Sequence, residues 1–144
     1  NNIADFRRAY YRKLIQLGLL SFTGLLGLVF FGQNLLKLLI GHGSVTTSNI
    51  IELWWIMIWL SGTFAGGALG QITSSSFYAI GDTSTPTRLS IYSYTFYIPI
   101  KIISFYVYGI AGLALSTSLF FMVNFLFQVY FMEKKYLHSF HRVL

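Results

Sequence analysis

The sequence has no cysteine, only two prolines and only four acidic residues among its 144 positions. The absence of cysteine excludes disulfide bonds and thiolate metal sites. The few carboxylates form no helix-borne pair for proton transfer, and the sequence contains neither a Gly-x-x-x-x-Gly-Lys phosphate loop nor a serine, histidine and aspartate set with identifiable roles. We therefore expect neither an enzyme nor a cofactor. His42, His138 and His141 have no accompanying carboxylates, so no metal site is expected.

What the sequence has in excess is apolar surface. Hydrophobic residues make up 55% of the chain and charged residues 10%, which is more apolar surface than one soluble core needs. About 20 apolar residues cross a bilayer, and four runs are long enough: 14–31, 53–80, 89–108 and 110–132. The sequence predicts an all-α membrane protein with four transmembrane helices, forming a single unit over residues 1–144.

Basic residues flank these four runs unevenly. Most of them lie before the first run, between the second and third, or after the fourth: Arg7, Arg8, Arg12, Lys13, Arg88, Lys134, Lys135 and Arg142. Four crossings put all of these on one side and leave Lys37 and Glu52 near the other. The positive-inside rule then predicts that both termini are cytoplasmic. Because topology accounts for the net charge of +6, no nucleic-acid partner is expected.

A polar stretch, residues 77–88, separates the second and third runs. Gly81 can adopt the left-handed conformation that ends a helix, and Thr85 followed by Pro86 predicts an N-cap and a first-turn proline for the next helix. Asp82 has two interpretations. It forms an Asx turn, the commoner use of an aspartate after glycine, or it binds a cation.

The remaining helix ends are predicted from shorter signals. Residues 1–13 form either an amphipathic helix along the headgroups or an ordinary basic flank. Residues 32–34 interrupt the first apolar run, and residues 41–43 predict an outer turn. Residues 46–48 contain N-cap candidates for the next helix. The connection at residues 109–112 is so short that the third and fourth spans must be antiparallel neighbours.

Small residues recur every four positions in the second run, at Gly62, Gly66, Gly70 and Ser74. This spacing puts them on one helix face and permits close helix packing. The stripe is either a fixed interface or a sliding surface for alternating access. Gln71 and Ser75 lie near it and either hydrogen-bond across helices or face a wet cavity.

Lys101 is the one basic residue deep within an apolar run. At 100° per residue it shares a polar stripe with five other side chains: Ser90, Tyr94, Tyr97, Ser104 and Tyr108. Three interpretations stand: the stripe lines a cavity, Lys101 pairs inside the bundle, or its ammonium snorkels to the outer interface. In the fourth run Thr117, Asn124 and Gln128 share another face, for interhelical hydrogen bonds or for headgroup contact.

Two motifs resemble a known family. Tyr78-Ala79-Ile80-Gly81-Asp82-Thr83 with Pro86, and the Gly-x-x-Gly-x-Ala-x-x-Thr-Ser pattern of residues 109–118, are similar to a cytoplasmic loop and to the start of the last core helix in MurJ-type lipid II flippases. Residues 35–46 resemble, more weakly, the segment before the tenth helix of that family. The chain departs from the family at Thr23-Gly24 and at Asn34, where prolines are usual.

The resemblance implies that the chain is a fragment covering helices nine to twelve of a larger two-lobed helical transporter. It further implies a location in the bacterial cytoplasmic membrane, alternating access, and lipid II as cargo. The implied partners are a polyprenyl-linked glycolipid, membrane lipids and the remaining helices of the transporter. The groups that meet the pyrophosphate of the lipid come largely from helices outside this sequence. Gly81, Asp82, Thr83 and Pro86 are the family-motif loop.

Two alternatives stay open. Another member of the same exporter superfamily would carry a different polyprenyl-linked polysaccharide or a drug, and a cargo assay separates these. A four-span scaffold protein is a rival of a different class, in which the glycine stripe is only an interface. The gene sequence upstream of Asn1 discriminates the scaffold from the transporter.

Overall fold

The computed structural model describes residues 2–42 and 45–137. It contains three long α-helices, α1 (Asn2–Ile40), α2 (Thr47–Ala79) and α3 (Ser84–Met132), and a short π-helical turn at Glu133–Leu137. All three long helices are apolar and long enough to cross a membrane. The prediction of an all-α membrane protein is therefore confirmed, and the residues predicted as the third and fourth spans both belong to α3.

Helix α1 is continuous, so the polar residues 32–34 that interrupt the apolar run do not interrupt the helix. A single glycine costs only about 1 kcal/mol in a helix, and the indole of Trp54 offsets that cost here. Its Nε1 donates to the Leu28 carbonyl at 2.9 Å, and a Cβ on Gly32 would lie 2.8 Å from its ring. Residues 2–13 belong to the same helix, which spans 39 residues and is about 58 Å long.

Helix α2 begins and ends as predicted. The Thr46 hydroxyl caps its N-terminus by accepting from the Asn49 amide at 3.4 Å. At its C-terminus Gly81 has a φ of 81°, and the Asp82 amide donates to the Phe77 carbonyl at 2.9 Å while the Gly81 amide donates to the Tyr78 carbonyl. These two bonds form a Schellman motif, which requires a left-handed residue at the glycine position.

The start of α3 differs from the prediction. The helix begins at Ser84, Thr83 occupies the cap position without a side-chain bond, and Thr85 is not the N-cap. The Asp82 carboxylate takes over the capping role by accepting from the Thr85 amide at 3.0 Å. A carboxylate is a better acceptor for an exposed amide than a threonine hydroxyl. Pro86 lies buried in the first turn, where its missing amide proton costs nothing.

Helix α3 reverses direction at Gly109, which has φ 61° and ψ −141° and is not helical. Tyr97 Oη lies 2.7 Å from Thr117 Oγ1, although a straight helix would separate these residues by about 30 Å. The chain therefore folds back into a first arm, residues 84–108, and a second arm, residues 110–132. Gly112 lies where the two arms come together. Glycine is required there, because a Cβ would collide with the Ser104 carbonyl and lie 2.7 Å from the Tyr108 Cβ.

α1 packs against α2, and α2 packs against the second arm of α3. α1 is antiparallel to α2, since Tyr10 meets Thr73 and Leu28 meets Trp54. α2 is parallel to the second arm and contacts it along its length. The start of α1, the α2–α3 loop and the end of α3 consequently meet at one end of the bundle, which we call the basic end. A small core of Tyr10, Phe77 and Met132 lies there.

Candidate functional site

The stripe of small residues on α2 faces the second arm of α3. A Cβ on Gly66 would lie 2.7 to 2.9 Å from backbone atoms of Phe121 and Met122, and one on Gly62 would lie 2.9 Å from the Ser118 Cβ. Gly70 is less crowded, since its nearest neighbour is the Phe125 Cβ at 4.0 Å. Ser74 continues the contact by donating to Gln128 Oε1 at 2.9 Å. The two helices thus approach closest at Gly66.

A groove of about 550 Å³ lies between the two arms of α3. Its walls are mainly leucine, isoleucine and phenylalanine side chains, and hydroxyl or amide groups interrupt them at a few positions: Tyr92, Ser93, Tyr97, Ser104, Tyr108, Ser116 and Asn124. The predicted polar stripe is therefore divided. Tyr97, Ser104 and Tyr108 line the groove, whereas Ser90, Tyr94 and Lys101 do not.

Lys101 is half-buried at the edge of this hairpin. Its Nζ lies 5.4 Å from the centre of the Tyr97 ring, within the range of a cation–π contact. In the part of the chain that the structure describes, the one ion pair joins Lys135 to Asp82, and Lys101 has no acidic partner. The predicted pairing inside the bundle is thus not found among these residues.

Tyr97 connects Lys101 to the second arm. The Tyr97 side chain is buried, and its ring stacks on Phe120 with centroids 4.2 Å apart and an interplanar angle of 22°. Its hydroxyl shares a hydrogen bond with Thr117. Tyr94 packs on the same phenylalanine, with ring centroids 4.9 Å apart. Tyr94 and Tyr97 of the predicted stripe therefore join the two arms of the hairpin.

The polar residues of the second arm divide between interhelical and intrahelical bonds. Gln128 is buried, accepts from Ser74 and donates to Asn124 Oδ1 at 3.3 Å. Thr117 contacts Tyr97 in the first arm. Gln71 and Ser75 are exposed on the surface of the described residues and make no side-chain hydrogen bond within them.

Asp82 is the centre of a hydrogen-bonded cluster at the basic end. Its Oδ2 accepts from Lys135 Nζ and Tyr136 Oη, both at 2.7 Å, and from Thr85 Oγ1 at 2.6 Å. Its Oδ1 accepts from the Thr85 amide and from the Ser84 hydroxyl at 3.3 Å. The donors themselves cover the carboxylate, which is 8% exposed. We call Asp82, Ser84, Thr85, Lys135 and Tyr136 the Asp82 cluster.

The donors of the Asp82 cluster decide the charge of the carboxylate. Burial alone would raise the pKa of Asp82, but hydrogen bonds from Lys135, Thr85 and Tyr136 outweigh it and hold that pKa far below its usual range. The bond to Asp82 raises the pKa of Lys135 in return, and likewise the pKa of Tyr136. Asp82 is therefore ionised and Lys135 charged at neutral pH. The carboxylate has an ammonium partner from its own chain, which leaves the cation-binding interpretation without support.

Sequence reasoning missed the partners of Asp82, because Lys135 and Tyr136 lie 53 and 54 positions away. It also missed the contacts of Tyr10 with Thr73 and of Tyr11 with Glu133 at the same end. The sequence shows that basic residues flank the apolar runs, but no spacing rule predicts which residues of separate helices form a pair. His42 is exposed in a turn, while His138 and His141 lie outside the described residues. Within the described ranges, no group of three histidine or acidic side chains could hold a metal ion.

The comparison that decides the family is a match to almost the whole chain. The sequence model of the family described as Lipid II flippase MurJ matches residues 3–144. The chain belongs to the MurJ family. The match includes both motifs on which the sequence resemblance rested, the Gly81 loop and residues 109–118, and so confirms that identification. The MurJ family and the three membrane-capable helices identify the chain as a multi-pass protein of the bacterial cytoplasmic membrane.

A curated relative is the probable lipid II flippase MurJ of Vibrio cholerae, which is 27% identical over 100 residues. The matched segment covers 69% of this chain and 19% of the relative, so the chain spans about a fifth of that protein. No solved structure matches the chain significantly.

Proposed function

We propose that this chain is part of a MurJ-type flippase, contributes helices to one lobe, and serves the movement of lipid II across the cytoplasmic membrane by alternating access. Membership of the MurJ family over residues 3–144 is the observation that carries the proposal. A transporter of this kind moves its cargo without making or breaking a bond. The remaining helices of the transporter, the membrane lipids and the polyprenyl-linked glycolipid are its partners.

We further propose that the two arms of α3 are separate spans, so that the chain crosses the membrane four times with both ends in the cytoplasm. The reversal at Gly109 supports this count, because each arm holds more than 20 residues and about 20 are enough to cross. The basic end supports the orientation. Arg7, Arg8, Arg88 and Lys134 are exposed there, whereas Lys37 belongs to the opposite end.

Cysteine labelling tests this topology. We expect a single cysteine at Ser84 to resist a membrane-impermeant thiol reagent in intact cells, because the basic end faces the cytoplasm. A cysteine at Thr47, exposed at the start of α2, should react. The native segment contributes no background, since it contains no cysteine. Permeabilised cells should label at both sites. Labelling at Ser84 but not at Thr47 in intact cells would show that the basic end faces outward, and would contradict the proposed orientation.

Lys101 is our candidate for the contact with the cargo. It lies 17 residues from the start of α3 and eight from the reversal at Gly109, or about 25 Å and 12 Å along the helix. An ammonium at that depth costs roughly 2.5–3.5 kcal/mol if it faces lipid. A water-filled cavity that admits a phosphate would remove much of this cost, and the ammonium would then donate charge-assisted hydrogen bonds to the phosphate.

Replacing Lys101 with Gln should lower the transport of a pyrophosphate-linked lipid about fivefold per folded molecule, the effect of losing roughly 1 kcal/mol in a partly solvated contact. Lys101→Glu should lower it further, because the carboxylate repels the pyrophosphate. The measurement uses the full-length protein in proteoliposomes, with fluorescent lipid II and a quencher that reaches one leaflet.

Lys37→Gln is the matched control, since it removes the same charge from an exposed side chain near the end of α1. It should transport at the wild-type rate. Wild-type turnover in both Lys101→Gln and Lys101→Glu would reject the cargo contact and favour snorkelling. The same assay with another polyprenyl-linked oligosaccharide or a lipophilic cation in place of lipid II separates the other cargo classes.

A further inference from the structure

We infer that Tyr97 is a positioning residue that holds the Lys101 ammonium in place for the cargo. This rests on the proposed role of Lys101 and adds a second residue to it. Three contacts meet at Tyr97: its ring lies beneath Lys101 Nζ, the same ring stacks on Phe120, and its hydroxyl bonds to Thr117. The side chain is 8% exposed.

The two faces of the Tyr97 ring have different neighbours. Phe120 occupies one face with its centroid 4.2 Å away, which leaves no space for an ammonium between the rings. Lys101 Nζ, at 5.4 Å from the centroid, therefore lies on the other side. The negative face of the ring attracts a cation there. The Tyr97 ring thus separates the charge from the second arm.

The second arm fixes this ring in two ways. The Phe120 stack sets its plane, and the bond to Thr117 sets how far the ring extends toward the second arm. Lysine carries about 2 kcal/mol of side-chain rotamer entropy, so an unsupported ammonium would sample many positions. With the Tyr97 ring beneath it, the ammonium has fewer positions to sample. The packing of the hairpin is in this way coupled to the position of the charge.

This placement makes a prediction about binding. Tyr97→Leu should weaken the binding of undecaprenyl diphosphate to the full-length protein in detergent about threefold, within the strength of a cation–π contact. Tyr97→Phe should bind nearly as well as wild type, because the ring and the stack remain. The loss from Tyr97→Leu cannot exceed the loss from Lys101→Gln, since Tyr97 acts through Lys101. Calorimetric titration gives the dissociation constants.

A double-mutant cycle separates positioning from general structural damage. In a Lys101→Gln background, Tyr97→Leu should cause no further loss of affinity, because there is no ammonium to position. A structural defect would weaken binding by the same factor in both backgrounds, and that result would overturn the inference. Tyr97→Met provides a second ring deletion with a flexible side chain that fills gaps, should the leucine variant fold poorly.

The cycle also distinguishes the two proposals. If Lys101→Gln weakens binding but Tyr97→Leu does not, Lys101 meets the cargo without the help of Tyr97, and only the positioning role is lost. If Lys101→Gln leaves the dissociation constant unchanged, both proposals are overturned. If Tyr97→Phe binds as poorly as Tyr97→Leu, the ring does not carry the effect, and the cation–π support is rejected.

Discussion

Replacing Gly66 with Leu should abolish most of the folded protein. A Cβ at this position would lie 2.7 to 2.9 Å from three backbone atoms of Phe121 and Met122, and backbone in the middle of a helix cannot move aside as a side chain can. Even Gly66→Ala should therefore destabilise the protein by about 1–3 kcal/mol, the usual cost of overpacking. The leucine side chain adds three more carbons to the same crowded place. Folded yield and thermal unfolding of the purified full-length protein measure both effects.

Gly67 is the matched control for Gly66. It is the next residue on the same helix, and a Cβ there would meet only the edge of the Phe121 ring at 3.6 and 3.8 Å, which is ordinary contact. Gly67→Ala should keep or slightly raise stability, because alanine is the better helix former. Equal stability of the Gly66 and Gly67 alanine variants would show that α2 and the second arm do not approach closely in the membrane. In that case the stripe would be available as a sliding surface.

Replacing Asp82 with Ala should destabilise the protein by about 2–4 kcal/mol, from the loss of a helix cap and of charge-assisted hydrogen bonds. The carboxylate accepts from the Thr85 amide at the start of α3 and from Tyr136 and Lys135 in the π-helical turn that follows it. Asp82→Asn should cost less, since the amide oxygen still caps α3. Thermal unfolding of the purified protein should rank wild type as the most stable, Asp82→Asn as intermediate and Asp82→Ala as the least stable.

Lys135→Gln is the control for the ion pair alone. The Lys135 side chain is 50% exposed, so water screens its attraction to Asp82, and its loss should have the smallest effect of the series. Should Lys135→Gln destabilise as much as Asp82→Ala, the ion pair and not the cap would hold the loop. That result would contradict the assignment of the main role to the cap.

The stability difference between wild type and Asp82→Asn should also depend on pH in a defined way. The folded state lowers the pKa of Asp82, so its stabilisation is fully present above the unfolded pKa of about 4. It is lost as pH falls toward the folded pKa. We expect a constant difference between pH 8 and 5 and a decreasing one below pH 4. An increase in this difference as pH falls from 7 to 5 would mean that the pKa of Asp82 is raised instead.

Several local features of this protein follow from its residues alone. The C-terminus of α2 at Gly81 and its N-cap at Thr46 were predictable, because a left-handed glycine and a capping hydroxyl act through bonds within a few residues. The membrane class follows in the same way from apolar run length. Two local features differ from what the nearest residues suggested. Residues 32–34 stay helical with the Trp54 indole of α2 packed against Gly32, and the cap of α3 is the Asp82 carboxylate, three positions before Thr85.

The sequence by itself determined the all-helical membrane class, the family, the small-residue stripe and the presence of a deep lysine. Each of these is a matter of residue type and of spacing along one chain. Only the tertiary structure decided which residues meet: Gly66 with the backbone at Phe121, Tyr97 with Phe120 and Thr117, and Asp82 with Lys135. Helical periodicity gives the face on which a residue lies. It does not give the partner helix, its register or the rotamer, because packing across separate segments sets these.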